Sequence, residues 1–230
     1  MTRREKQNIL DGLYLCIFMP LENRATFQKR LGIFSKKNQL LIDLAYDLSK
    51  EAHRPQTRDE GTRYFDHPRA VALILLDELK IKDPNIIIAA LLHDTVEDSP
   101  IFGNRKLALD EWQQTTVFRL TRIFNKEVAR IVVALTKVGG HGFKTKHDAE
   151  EYYIVNLKKT GPKAVMVKMA DRLHNLRTIG DCTKEKQKRK IQETREVYFP
   201  LFLTNQKKYP RETSYFLAQI EKQMNILETK

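Results

Sequence analysis

The sequence predicts an all-α helical bundle, and three observations carry that expectation. No stretch alternates apolar and polar residues with the period of two that a half-buried strand requires. Glycine and proline are sparse, 9 and 8 in 230 residues, which favours helices. Two stretches, residues 85–98 and 162–179, are apolar around nearly the whole helix yet carry clusters of ionisable side chains. Helices buried around a polar site have that pattern.

Composition bounds the rest. With 41% hydrophobic and 30% charged residues the chain reads as globular, and 230 residues suit one core. The expected organisation is an N-terminal helical extension over residues 1–35, a main domain over 36–206, and a C-terminal helix over 207–230 packed on it. A net charge of +12 suits a polyanionic partner: a phosphorylated small molecule, nucleic acid or an anionic surface. Cys16 and Cys182 give neither a disulfide framework nor a metal spacing, so a reducing cytoplasm is expected. The longest apolar run, Ile86 to Leu92, is far short of the roughly 20 residues of a membrane span. Arg3, Arg4 and Lys6 precede LYLCIFM, but Asp11 interrupts that segment and no small-residue cleavage site follows, so no signal peptide is expected.

In chain order, residues 3–19 form an amphipathic pattern ending before Pro20, and 22–31 a second closed by Gly32. Ser35 is a good cap for a helix to about residue 53, with Leu40, Leu41, Leu44, Ala45 and Leu48 at helical spacing. Residues 54–68 read as a structured loop anchored to the core by Tyr64 and Phe65. Pro68 opens a helix to about residue 80, with Asp66 or His67 as cap. A helical region is expected near 105–124, around the only tryptophan, and EVARIVVALTKV is apolar enough to be core. A glycine-containing loop with Lys144 and Lys146 leads to a helix over 147–159. The lysine-rich stretch opens a helix over 184–206 with a hydrated basic face, and an amphipathic helix closes the chain.

Asp83 and Pro84 are a plausible cap and first residue for the helix over 85–98. Its end carries His93, Asp94, Glu97 and Asp98. As one continuous helix it would set His93 under Glu97 and Asp94 under Asp98. Carboxylates at a helix C-terminus face the negative end of the macrodipole, and a buried unpaired charge costs several kcal/mol, roughly. Either a divalent cation held partly by His93 and Asp94 resolves both problems, or the helix end emerges into solvent with its charges hydrated. In the helix over 162–179, Asp171, Asn175 and Thr178 share one stripe on an otherwise apolar helix, which suits either a pocket wall or a salt bridge with an interhelical hydrogen bond. His67 stands at a loop-to-helix corner. Together, His67, His93, Asp94 and Asp171 are two imidazoles and two carboxylates, a mixed site suited to Mn, Fe, Co or Zn.

The series His67, His93–Asp94, Asp171 resembles the HD-type metal-dependent phosphohydrolases. YFDHP (64–68), ALLHDTVED (90–98), LTK (135–137) and VKMADRLHNLRT (167–178) resemble the hydrolase domain of RelA/SpoT homologues more closely. So do Glu185-Lys186-Gln187, Glu193-Thr194 and Tyr198-Phe199-Pro200-Leu201. The resemblance covers about residues 41–203. It implies an HD-domain helical bundle that binds one Mn2+ per chain and removes the 3′-pyrophosphate of (p)ppGpp, giving GDP or GTP. It implies His67, His93, Asp94 and Asp171 as Mn2+ ligands, and Glu97 and Asp98 as the pair that positions or deprotonates the attacking water. It also implies that Arg58 packs on the guanine, that Asn175 and Thr178 contact the nucleotide, and that Lys144 meets the far phosphates.

The sequence departs from the family pattern in places. Asp59 follows Arg58 where a basic residue is usual, and Arg63, where proline is common, is a candidate to restore that charge. Pro55 replaces a usual glycine, and residues 99–125 are longer than the norm. The alternative function is an HD-type phosphatase acting on another nucleotide such as NADPH. A basic helical protein that binds nucleic acid would share the charge, but the chain has no docking motif for it and the His/Asp series would go unused. The expected partner is therefore guanosine tetra- or pentaphosphate, with no nucleic acid and no membrane.

Overall fold

Side chains that cap backbone N–H groups decide where half of the described α-helices begin. The structure is a computed structural model and describes residues 22–58, 61–103, 106–139 and 142–229. The amphipathic pattern expected over residues 3–19, Cys16 and Asp59 lie outside the described residues. Helix α1 (Arg24–Lys29) starts from Asn23, which exchanges reciprocal hydrogen bonds with Thr26, and passes into a 3-10 turn (Arg30–Ile33). Helix α2 (Lys36–Ala52) starts at Ser35, as its cap predicts. Helix α3 (Asp66–Leu73) begins two residues before the expected Pro68, with no side-chain cap, and widens into a π turn (Ile74–Glu78).

Helix α4 (Pro84–Leu92) is capped by Asp83, whose carboxylate accepts the N–H of Asn85. Every residue from Ile86 to Leu92 is buried. α2, α3 and two later helices pack around it, so α4 is the axis of the core. The continuous helix expected over 85–98 is not formed. It breaks at His93–Asp94 and resumes as a single turn, α5 (Thr95–Asp98). The reason is side-chain competition. His93 Nδ1 takes the Ala90 carbonyl at 2.8 Å, and Thr95 Oγ1 takes the Leu92 carbonyl at 2.6 Å. Those carbonyls would otherwise accept the N–H groups of the next turn. His93 is thus not stacked one turn under Glu97.

Helix α6 (Leu109–Ile123) carries Trp112 in the core. The loop before it approaches closely at Gly103, where a Cβ would stand 2.4 Å from Thr116 Oγ1 and 3.0 Å from the Trp112 ring. Only glycine fits there. Helix α7 (Lys126–Leu135), capped by Asn125, packs on α4 and α6. Helix α8 (Lys146–Thr160) ends at Gly161, whose φ of 103° is open to glycine, and Pro162 starts α9 (Pro162–Thr178) at once. α9 is buried along most of its length and packs on α3, α4, α7 and α8.

The helix expected over 184–206 is interrupted. Helix α10 (Lys184–Glu193) widens into a π turn (Thr194–Tyr198) and restarts as α11 (Phe199–Leu203) with Pro200 in its first turn. Proline lacks the N–H that a continuous helix needs there. Helix α12 (Pro210–Glu228) closes the chain and packs on α9. The architecture among the described residues is all-α, with one isolated bridge between Thr57 and Arg63 in the loop before α3. No described helix is long and apolar enough to cross a membrane.

Candidate metal centre

The core packing brings three separate elements to one point. α3 supplies His67 from its first turn, the break after α4 supplies His93 and Asp94, and the middle of α9 supplies Asp171. His67 Nε2 lies 3.1 Å from Asp171 Oδ1 and 3.6 Å from Asp94 Oδ2. His93 Nε2 lies 3.2 Å from Asp94 Oδ1 and 3.7 Å from Asp171 Oδ1. Ligand atoms of His67, His93 and Asp171 all fall within 4.8 Å of one another, close enough to hold one ion.

Electrostatics and hydrogen bonding favour a cation there. Burial alone would raise the Asp171 carboxyl, but Lys168 and the two imidazoles hold it well below its ordinary range. Burial likewise opposes ionisation of Asp94, and His93 overcomes it. Burial disfavours a charged His93, yet Asp94 and Asp171 lift it to about 10. For His67 burial prevails and its pKa falls. The carboxylates therefore draw positive charge into a buried space. His93 Nε2 is buried with no hydrogen-bond partner, while its Nδ1 is committed to the Ala90 carbonyl. Carboxylates that attract a proton to this imidazole equally favour a divalent cation in its place, which would displace the Nε2 proton and bind mixed N and O donors.

Around this point a cleft of about 320 Å³ opens. Of the sequence-predicted site residues, Arg58, His67, Asp94, Glu97, Asp171, Asn175 and Thr178 line it. Arg58 donates to Asn175 Oδ1 at 2.9 Å, and Asn175 Nδ2 donates to Asp171 Oδ1 at 2.6 Å, so one chain of bonds joins the loop before α3 to the cluster. Glu97 accepts the backbone N–H of Lys137 at 3.0 Å, and burial and then Asp94 push its pKa up. Asp98 stands beside Tyr64, outside the cleft lining, with its pKa raised by burial and Asp94. Lys144 is exposed on the loop before α8 and does not line the cleft. Arg63 is turned to Asp66 at 3.0 Å, so its charge is already engaged.

Several cleft residues escaped the sequence reading. Tyr64, expected only as a core anchor, donates to Asp94 Oδ2 at 3.0 Å and carries the Arg58 guanidinium 5.8 Å above its ring. Lys137, Lys168, Arg172, Lys186 and Lys190 also line the cleft and make it basic. Lys168 is buried between the rings of Tyr153 and Tyr198, 5.5 and 5.3 Å from their centroids, and Arg172 lies 3.9 Å from that of Tyr198. Lys186 and Lys190 belong to the run expected as a hydrated face. They are four residues apart on α10, and that spacing was the available signal.

A buried His/His-Asp/Asp cluster in an all-helical core defines the HD class, and the HD-domain family model matches residues 45–206. The chain belongs to the HD-domain family. It is 35% identical over 163 residues to the bifunctional (p)ppGpp synthase/hydrolase SpoT of Escherichia coli K12, covering 68% of this chain and 20% of that protein. It is also 35% identical over 160 residues to the guanosine-3′,5′-bis(diphosphate) 3′-pyrophosphohydrolase of Aquifex aeolicus, covering 70% of this chain and 21% of the relative. The chain therefore spans about a fifth of the length of these curated relatives. A solved structure of a metazoan SpoT ortholog that hydrolyzes ppGpp and plays a role in starvation responses matches with a TM-score of 0.56 and 26% identity. It covers 83% of this chain and 96% of that one.

Proposed function

We propose that this chain is a Mn2+-dependent hydrolase that removes the 3′-pyrophosphate of (p)ppGpp. The observation that carries the reading is the cleft itself. His67, Asp94 and Asp171 of the cluster line it, with His93 beside them just outside the lining, together with Arg58, Asn175, Thr178, four lysines and Arg172. Relatives whose names specify this reaction support the choice of substrate. Residues 36–206 form the proposed catalytic unit, in a cytoplasmic setting.

In the reaction water adds its oxygen to the phosphorus attached to the ribose 3′ oxygen, that P–O bond breaks, and the ribose keeps a hydroxyl. The products are pyrophosphate and GDP or GTP. His67, His93, Asp94 and Asp171 would hold the cation, which when bound supplies Lewis acidity toward water and phosphate oxygens. Glu97 takes the proton of the attacking water, a role suited to a carboxylate whose pKa burial has raised. Tyr64 holds Asp94 in place, and Asp98, outside the cleft lining, acts on the site only through Tyr64. Arg58 offers a planar face to the guanine, Asn175 and Thr178 meet the nucleoside, and Lys137, Lys186, Lys190 and Arg172 neutralise the phosphates.

Product analysis tests this directly. The purified chain is incubated with ppGpp with and without Mn2+, and the nucleotides are separated by chromatography. GDP plus pyrophosphate appearing only with Mn2+ is the expected result. Intact ppGpp in a folded, Mn2+-loaded sample would overturn it and send the test to NADPH.

A further inference from the structure

His67 Nδ1 and His174 Nδ1 lie 2.8 Å apart, with His67 buried and His174 partly buried. Two ring nitrogens approach that closely only with one proton between them. Two lone pairs would repel and two N–H groups would clash. The other nitrogen of His67, Nε2, faces Asp171 and Asp94. An imidazole binds a cation through a lone pair, so a His67 that ligates through Nε2 must carry its proton on Nδ1. His93 reaches that state through a backbone carbonyl, which can only accept. His67 has instead a second imidazole, which can donate or accept. His174 stands three residues beyond Asp171 on α9, so one helix supplies both a carboxylate of the cluster and the group behind the imidazole facing it.

We propose that His174 is a positioning residue that accepts the His67 Nδ1 proton and thereby fixes His67 with its Nε2 lone pair turned to the cation. His174 itself does not touch the cation or the substrate. The inference rests on the proposed metal site, and its test separates the two.

The probe is Mn2+ binding to the full chain, followed by electron paramagnetic resonance of the free ion. Asparagine places its side-chain oxygen about where histidine places Nδ1, one bond beyond Cγ in both; glutamine reaches one bond further. His174→Asn should keep Mn2+ affinity close to that of the unaltered chain. His174→Gln should lose about 10- to 100-fold, the usual loss when the group orienting a ligating imidazole is removed. A structural role alone would lower the metal-free melting temperature of the variants without separating their Mn2+ affinities. Equal affinity in both variants, whether retained or lost, overturns the role of His174. No Mn2+ binding by the unaltered chain overturns the metal site as well. Nitrogen-15 spectra of the unaltered chain, with Zn2+ displacing Mn2+, read the tautomer without any substitution. A His174 proton on Nε2 is expected, and one on Nδ1 would refute the assignment.

Discussion

Lys168 Nζ donates to Asp171 Oδ2 at 2.7 Å, one turn away on α9, and both side chains are buried. The bond divides the labour of the carboxylate. Oδ2 is held by the lysine, while Oδ1 faces His67 and His93 and accepts from Asn175. Lys168 thus fixes the rotamer of Asp171 and aims its other oxygen into the cluster.

Lys168→Met should therefore destabilise the metal-free fold by up to about 3–5 kcal/mol, because it leaves Oδ2 of a buried carboxylate without its cation. Urea denaturation measures this. A loss within the ±0.5 kcal/mol or so of an ordinary surface substitution would contradict the buried pair.

Asp171→Asn should abolish Mn2+ binding and turnover while its amide oxygen still accepts from Lys168. Alanine is the poorer test, since it would leave the lysine ammonium buried without its carboxylate. Calorimetric titration with Mn2+ reads the outcome. Undiminished affinity would remove Asp171 from the ligand set.

Glu97→Gln keeps an oxygen for the Lys137 N–H but cannot take a proton. Mn2+ affinity should stay unchanged while kcat falls by about 10²–10⁴-fold, the range of a lost general base. Loss of Mn2+ instead would make Glu97 a ligand.

Much of this centre was legible in the sequence, and the parts that were not have physical reasons. Asp83–Pro84, Ser35 and Gly161–Pro162 mark helix ends by local chemistry, and the structure follows them. The Asp171, Asn175, Thr178 stripe needs only helical periodicity, and all three residues line the cleft. The break at His93–Asp94 has no glycine or proline to announce it, because side-chain bonds to the Ala90 and Leu92 carbonyls cause it. The basic lining draws Lys137 from just after α7, Lys168 and Arg172 from α9, and Lys186 and Lys190 from α10. No local pattern relates residues that only tertiary packing brings together.

Acid stability should depend on Glu193. Burial alone would raise its carboxyl, but Arg172 and Lys190 hold its pKa at about 2 against a usual 4.5. A depressed native pKa means that the unfolded chain binds the proton first. The contribution of Glu193 is complete above about pH 4.5 and fades as pH falls toward 2. The stability gap between the unaltered chain and Glu193→Gln should shrink across that window. A gap independent of pH there would show that the Arg172 and Lys190 contacts do not hold the carboxylate in solution.

Lys190 and Lys144 separate the cleft from the loop as sources of phosphate affinity. Lys190 lines the cleft, where burial and then repulsion from Arg172 and Lys137 depress its pKa despite Glu193. That crowding of cations is relieved when phosphates enter. Lys144 is exposed and outside the lining. A charged hydrogen bond contributes about 1.5–3 kcal/mol, so Lys190→Ala should lower kcat/KM for ppGpp about tenfold or more, chiefly through KM. It should also flatten the dependence on ionic strength. Lys144→Ala should change either quantity far less. Steady-state kinetics at two salt concentrations decides between them, and a larger effect at Lys144 would place the far phosphates on the loop before α8.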